Sequence, residues 1–211
     1  MLKRIDTIRE AVIEGQAKQT VAEVEQALAE GVAPNAILND GLISGMAEVG
    51  RLFEDAEYYV PEMLIAARAM TSALAVLKPR LVEEGIEPIG KVAIGTVKGD
   101  LHDIGKSLVA MMLEGAGFEI VDLGVDVPPE KFIEAVQNGA TIVAMSALLT
   151  TTMPNMKTTI EAIEAASLRE KVVIMVGGAP ITQSYADEIG ADGYSPDASA
   201  AVRKAKELLG V

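Results

Sequence analysis

The 211-residue chain carries a formal charge of −13, half of its residues are hydrophobic, and it contains no Cys, no Trp and a single His. These counts exclude disulfides, thiolate catalysis and zinc–thiolate sites, and the acidity opposes binding to a phosphate backbone. The opening MLKRIDTIREAVIEG lacks the apolar stretch of a signal peptide, and no uninterrupted run of 18 apolar residues occurs. A soluble, cytoplasmic protein is expected, with no nucleic-acid or membrane partner and a core of Ala, Val, Ile, Leu and Met.

Residues 1–84 read as helices only. The first spans Leu2 to Glu14. Lys18 to Glu30 follows, with Val21, Val24 and Leu28 on one face and Gly31 as its stop. Pro34 suits the first turn of a longer helix through Ile37, Leu42, Met46, Val49 and Phe53. Pro61 opens a fourth, with Leu64, Ala67, Met70, Leu74, Leu77 and Leu81 on its stripe. Short connections between four helices predict an antiparallel bundle.

The stretch GIEPIG at 85–90 is a Gly/Pro break and the expected linker. Beyond it, residues 91–211 change pattern. Apolar, β-branched runs at 91–97, 119–123, 141–146 and 171–176, with a shorter one near Gly193, are separated by helical stretches. That alternation predicts right-handed βαβ units in a doubly wound, five-stranded parallel sheet of flavodoxin-like, Rossmann-type order 2-1-3-4-5. The fold class is therefore α/β, preceded by a helical bundle.

In such sheets ligands bind beyond the carboxyl ends of the strands, at the switch point between strands one and three. Strand one is followed by Gly99-Asp100-Leu101-His102-Asp103-Ile104-Gly105, and strand three ends in Ser146-Ala147-Leu148-Leu149-Thr150. His102 is the sole histidine. A lone loop histidine is commonly just solvated. Here Asp100 can accept from one ring nitrogen and leave the other free for a metal. Zinc is a poor fit with one nitrogen ligand and no thiolate, whereas a metal already held by a macrocycle needs one protein ligand. Neither GxGxxG nor GxxxxGK[ST] occurs, Ser146 stands where a phospho-receiver needs Asp, and no GxSxG surrounds it.

Asp100-x-His102-x-x-Gly105, Ser146-x-Leu148 and Gly177-Gly178 together resemble the signature of base-off, His-on corrinoid proteins, as does the whole stretch GDLHDIGKSLVAMMLEGAGFEIVDLGVDVPPEKF. In the helical part, LFEDAEYYVPEMLIAARAM resembles the cap of methyl-transferring corrinoid proteins. The similarity is greatest to the small stand-alone proteins that serve methylamine, methanol or methoxy-arene methyltransferases, and to the B12 module of cobalamin-dependent methionine synthase.

This resemblance implies a corrinoid, methylcobalamin in its methylated form, with His102 as lower cobalt ligand. Asp100 and a hydroxyl, Thr152 or else Thr150, form a relay to it. Gly105 leaves space for the displaced nucleotide tail, Ser146 and Leu148 line that pocket, and Gly177 and Gly178 admit it. Ala198 closes the pocket after strand five. Phe53, Val60 and Met63 of the cap lie over the upper face. The chain is then a methyl carrier and not a complete catalyst. Its implied partners are a substrate-specific methyltransferase, an acceptor methyltransferase and a reductive activator of Co(II). The rival readings are the B12 domain of an adenosylcobalamin-dependent mutase, a B12-dependent sensor, and an acidic flavodoxin-like interaction module without B12.

Overall fold

The computed structural model describes residues 2–211. It divides into two compact units, Met1–Pro88 with Glu114–Gly117, and Ile89–Leu113 with Phe118–Val211.

The first unit is helical: α1 (Leu2–Ile13), α2 (Ala17–Ala29), α3 (Pro34–Ala36), a π-helical segment (Ile37–Ile43), α4 (Ser44–Glu54) and α5 (Val60–Glu83). The single long helix expected after Pro34 thus contains a π segment at ILNDGLI. Gly41 there lies against Ile8, where an added Cβ would sit 3.1 Å from Cγ2. In α2 the buried face is Thr20, Val24 and Ala27, with Val21 and Leu28 half-buried beside it.

Helix α5 packs on α2 and buries Met63, Ala66, Ala67, Ala69, Met70, Ala73, Leu77 and Leu81, while Leu64 stays exposed. Alanines, more than the expected leucines, carry its stripe, because small side chains let helix axes approach closely. By length and composition α5 could cross a membrane. Its buried stripe is instead that of a bundle core helix.

The second unit is a five-stranded, all-parallel sheet in the order β2-β1-β3-β4-β5. The strands are β1 (Lys91–Val97), β2 (Glu119–Val127), β3 (Ile142–Ser146), β4 (Val173–Gly177) and β5 (Gly193–Tyr194). Helices α6 (Ile104–Gly115), α7 (Pro129–Gln137), α8 (Pro154–Ala165), α9 (Gln183–Ile189) and α10 (Ala198–Leu209) provide the crossovers and the C-terminus. The order matches the expected one, so β1 and β3 are neighbours at the switch point.

Strand β2 runs four residues past the Leu123 end expected from the hydrophobic run. Pairing with β1 continues to Val97–Val127 through register shifts at Gly95. An added Cβ at Gly95 would meet Phe132 at 2.9 Å, so the glycine makes room for that fully buried ring. Burying such a side chain contributes about 1.5–3 kcal/mol. Ala93, Val97, Val143, Ile160, Ile163, Ile174 and Val176 complete the aliphatic core around it.

Candidate functional site

The carboxyl ends of β1 and β3 meet at one buried carboxylate. Asp100 has no exposed surface. Its Oδ1 lies 2.7 Å from His102 Nδ1 and accepts the His102 backbone N–H at 3.1 Å. Its Oδ2 accepts the backbone N–H of Leu148 at 2.8 Å and of Leu149 at 3.3 Å. The Thr152 hydroxyl lies 2.7 Å from the same Oδ2 and 2.9 Å from the Leu149 carbonyl, so its one proton serves either acceptor.

Burial alone would raise the Asp100 carboxyl. The bonds from Thr152, the Leu148 amide and both His102 groups outweigh it and hold the carboxyl well below the usual carboxylate range. Asp100 is thus an anion, His102 donates through Nδ1–H, and the Nε2 lone pair is left for a metal. The His102 side chain keeps half of its surface exposed.

Of the two candidate hydroxyls, Thr152 is buried and reaches Asp100, while Thr150 is exposed. Asp103 precedes α6 and its carbonyl accepts the Ser107 N–H at 2.8 Å. Ser146 ends β3, paired with Thr96 on one side and Gly177 on the other. Gly178 has φ +130, and an added Cβ would stand 1.9 Å from the Ala147 carbonyl oxygen, so only glycine fits there. Ala198 is buried at the start of α10, behind Asp197, whose side chain accepts the Ala200 N–H. In the helical unit Phe53 is half-buried, Val60 is 39% exposed and Met63 is fully buried.

Three groups that no sequence motif points to hold the histidine loop. Thr96 Oγ1 donates to the His102 carbonyl at 2.8 Å, Asn155 Nδ2 donates to the Lys98 carbonyl at 2.8 Å, and Asp126 Oδ1 accepts the Gly99 N–H at 2.7 Å. A fourth, Lys106, is buried on α6 and donates to Asp122 on β2 at 2.5 and 2.6 Å, fixing the first turn of α6 to the edge strand. A polar residue near the end of a strand or the start of a helix is the sole signal any of them leaves in the sequence.

The surroundings fit a large, flat, largely apolar group. Leu101 is 71% and Ile104 82% exposed on either side of the histidine, and Leu148 and Leu149 are exposed across from them. Beside Gly105 lies open space: an added Cβ would meet nothing within 4 Å among the described residues. Ser195, just past the end of β5 with its backbone carbonyl 3.4 Å from where a Cβ on Gly177 would stand, buries a hydroxyl that has no hydrogen-bond partner among the described residues, which leaves it available to a polar ligand group. Among the described residues no group of three or more His, Asp or Glu converges as a metal site.

An imidazole offered alone, oriented by a buried carboxylate and ringed by exposed aliphatics, defines a binder of a macrocycle-held metal at a flavodoxin-like switch point. The chain belongs to the B12-binding corrinoid proteins: the B12 binding domain family matches residues 90–203, and a second family of the same description matches residues 4–78. It is 46% identical to dimethylamine corrinoid protein 3 of Methanosarcina acetivorans over 96% of this chain and 95% of that one. To trimethylamine corrinoid protein 1 of the same organism it is 45% identical, over 91% of each. The solved methanol:cobalamin methyltransferase complex MtaBC of Methanosarcina barkeri is 29% identical with a TM-score of 0.87, over 99% of this chain and 80% of that one.

Proposed function

We propose that this corrinoid protein carries a methyl group from a methylated amine, released by a substrate-specific methyltransferase, to a second methyltransferase that passes it to an acceptor. The observation that carries the reading is the buried Asp100 anion holding His102 by Nδ1, which leaves Nε2 without a hydrogen bond among the described residues. The amine as donor class is supported by similarity to dimethylamine and trimethylamine corrinoid proteins at 45–46% identity, against 29% for the methanol complex.

When bound, the corrinoid supplies a cobalt that takes up and gives up the methyl group. His102 would hold the cobalt through Nε2. A proton at Nε2 of an unligated His102 would give an imidazolium stabilised by Asp100 at Nδ1, with the Thr152 hydroxyl steadying the far carboxylate oxygen. The loop Gly99 to Gly105, with Leu101, Asp103 and Ile104, would support the macrocycle. Gly105, Ser146, Leu148, Gly177, Gly178 and Ala198 would admit and line the nucleotide tail, with Thr150 at its rim.

Residues 1–84 would serve as the cap, residues 85–90 as the hinge and residues 91–211 as the corrinoid domain. Phe53, Val60 and Met63 would shield the methyl group; Phe53 and Val60 keep free surface, whereas Met63 is buried within the helical unit. A reductive activator would restore protein caught as Co(II), and the work would take place in the cytoplasm.

Cobalamin-loaded, reduced protein incubated with a dimethylamine- or trimethylamine-specific methyltransferase and its amine tests this. Amine-dependent methylation of the cobalt, read by absorbance, is expected. Methylation with methanol and its methyltransferase alone would overturn the choice of an amine donor. No methylation from any donor by protein that binds the corrinoid would overturn the carrier role.

A further inference from the structure

The β1–β2 ladder ends at Val97–Val127, yet the grip of β2 on the chain continues into the loop that carries His102. Asp126 makes that grip from two sides of its own residue. Its Oδ1 accepts the Gly99 N–H at 2.7 Å, and its backbone N–H donates to the Asp100 carbonyl at 2.9 Å. One residue of β2 therefore holds the main chain of the two residues that set where the Asp100 carboxylate lies. That carboxylate in turn orients the imidazole.

Both contacts require unusual backbone. Gly99 has φ +83 and Asp126 has φ +54, so two left-handed residues face one another across the strand ends. Asp and Asn tolerate this region better than other side-chain-bearing residues. Non-glycine residues persist there where surrounding contacts over-determine them, and such positions concentrate at functional sites. Asp126 is exposed, so burial does not explain its conformation.

We propose that Asp126 is a positioning residue for the axial ligand: by clamping Gly99 and Asp100 to β2 it holds His102 at the distance from which Nε2 reaches cobalt. This rests on His102 as the lower ligand. Thr96 and Asn155 hold the flanking carbonyls of His102 and Lys98, which leaves Asp126 to lock the middle of the loop. Without the clamp, Leu148, Leu149 and Thr152 still hold the Asp100 carboxylate, but the loop backbone loses an anchor and the direction of the His102 ring broadens. The cobalt then spends more of its time without a protein nitrogen.

The test uses full-length protein loaded with cobalamin and held as Co(II). Asp126→Gly accepts the left-handed backbone and removes the side-chain acceptor. Asp126→Asn keeps an oxygen acceptor and tolerates the same backbone. Electron paramagnetic resonance reports the fraction of cobalt with one axial nitrogen. A severalfold fall in that fraction is expected for the glycine variant, with recovery to the wild-type level in the asparagine variant. The Co(II)/Co(I) potential of the glycine variant should shift upward, because losing an axial base favours the lower oxidation state. A merely structural turn would lower the melting temperature of the apo-protein and leave both signals unchanged.

An unchanged nitrogen signal in Asp126→Gly, or an asparagine variant that loses it as fully as glycine does, overturns the proposal. A wild-type spectrum with no axial nitrogen overturns the role of His102 as well. A wild-type nitrogen signal that persists unchanged in the glycine variant overturns only the role of Asp126.

Discussion

Asp100 and His102 sit two residues apart and differ sharply in exposure: the carboxylate is wholly buried, while the ring it holds at 2.7 Å keeps half its surface exposed. A buried anion is stable because donors from three segments of chain saturate it, and a ligand is useful because its metal-binding nitrogen is left outside. The pair thus turns fold stability, supplied by β1, β3 and the turn before α8, into a fixed direction for Nε2.

Asp100→Asn should separate these contributions. An amide has one acceptor oxygen and presents NH2 where the carboxylate now receives a second set of donors. Leaving such groups unsatisfied costs about 1–3 kcal/mol. Urea unfolding of the apo-protein at neutral pH should show a loss in that range. Because the folded-state carboxyl is held low, wild-type Asp100 contributes its stability above the unfolded carboxyl value, about 3.9, and loses it as pH falls further toward the depressed folded value. The gap between wild type and Asp100→Asn should narrow as the pH falls below about 4, where the unfolded-state carboxyl takes up its proton. A gap that goes on widening below about pH 4 would contradict this electrostatic account.

Two glycines on the same edge should respond in opposite ways to alanine. Gly178→Ala places a Cβ 1.9 Å from the Ala147 oxygen at φ +130. Backbone strain alone costs about 1–3 kcal/mol, and the overlap adds to it. Gly105→Ala meets nothing within 4 Å among the described residues, and alanine is the better helix former by about 1 kcal/mol. Thermal unfolding should therefore show Gly178→Ala well below wild type and Gly105→Ala at or above it. The Gly105→Ala protein should nevertheless bind cobalamin more weakly while binding tail-less cobinamide as well as wild type does. Equal loss for both ligands would remove Gly105 from the tail site.

Ser195→Ala removes a buried hydroxyl that has no partner among the described residues. The apo-protein should melt at the same temperature or slightly higher, since no hydrogen bond is lost. Cobalamin affinity should fall severalfold with cobinamide affinity unchanged. A lower melting temperature with unaltered cobalamin binding would mean that the hydroxyl serves the fold and not a ligand.

Much of this edge is legible in the amino-acid sequence. The run at 91–97 is bounded by a Gly-Asp turn, and β-branched runs at helical intervals lead to the observed strand order. Asp100 and His102 are legible because the strand order brings their loop beside the end of β3, and Thr152 through the resemblance to corrinoid proteins. The end of β2 is not legible. Gly124 and Asp126, beyond the expected strand end at Leu123, resemble a loop and instead continue a bulged edge strand, whose Asp122 and Asp126 grip α6 and the histidine loop. Asp126 and Gly99 lie 27 residues apart, so their contact depends on a register shift that no local pattern records. In α5 the stripe passes from Leu64 to alanines because the approach of α2 decides which side is buried.

The central claim is that one protein nitrogen, that of His102, ligates cobalt. Electron paramagnetic resonance of the cobalamin-loaded Co(II) protein measures it directly. Wild type should show splitting from one axial nitrogen, with label from 15N-histidine altering the pattern. His102→Ala should still take up cobalamin, more weakly, and show no axial-nitrogen splitting. Splitting that persists unchanged in His102→Ala, or a wild-type spectrum insensitive to the histidine label, would contradict the account.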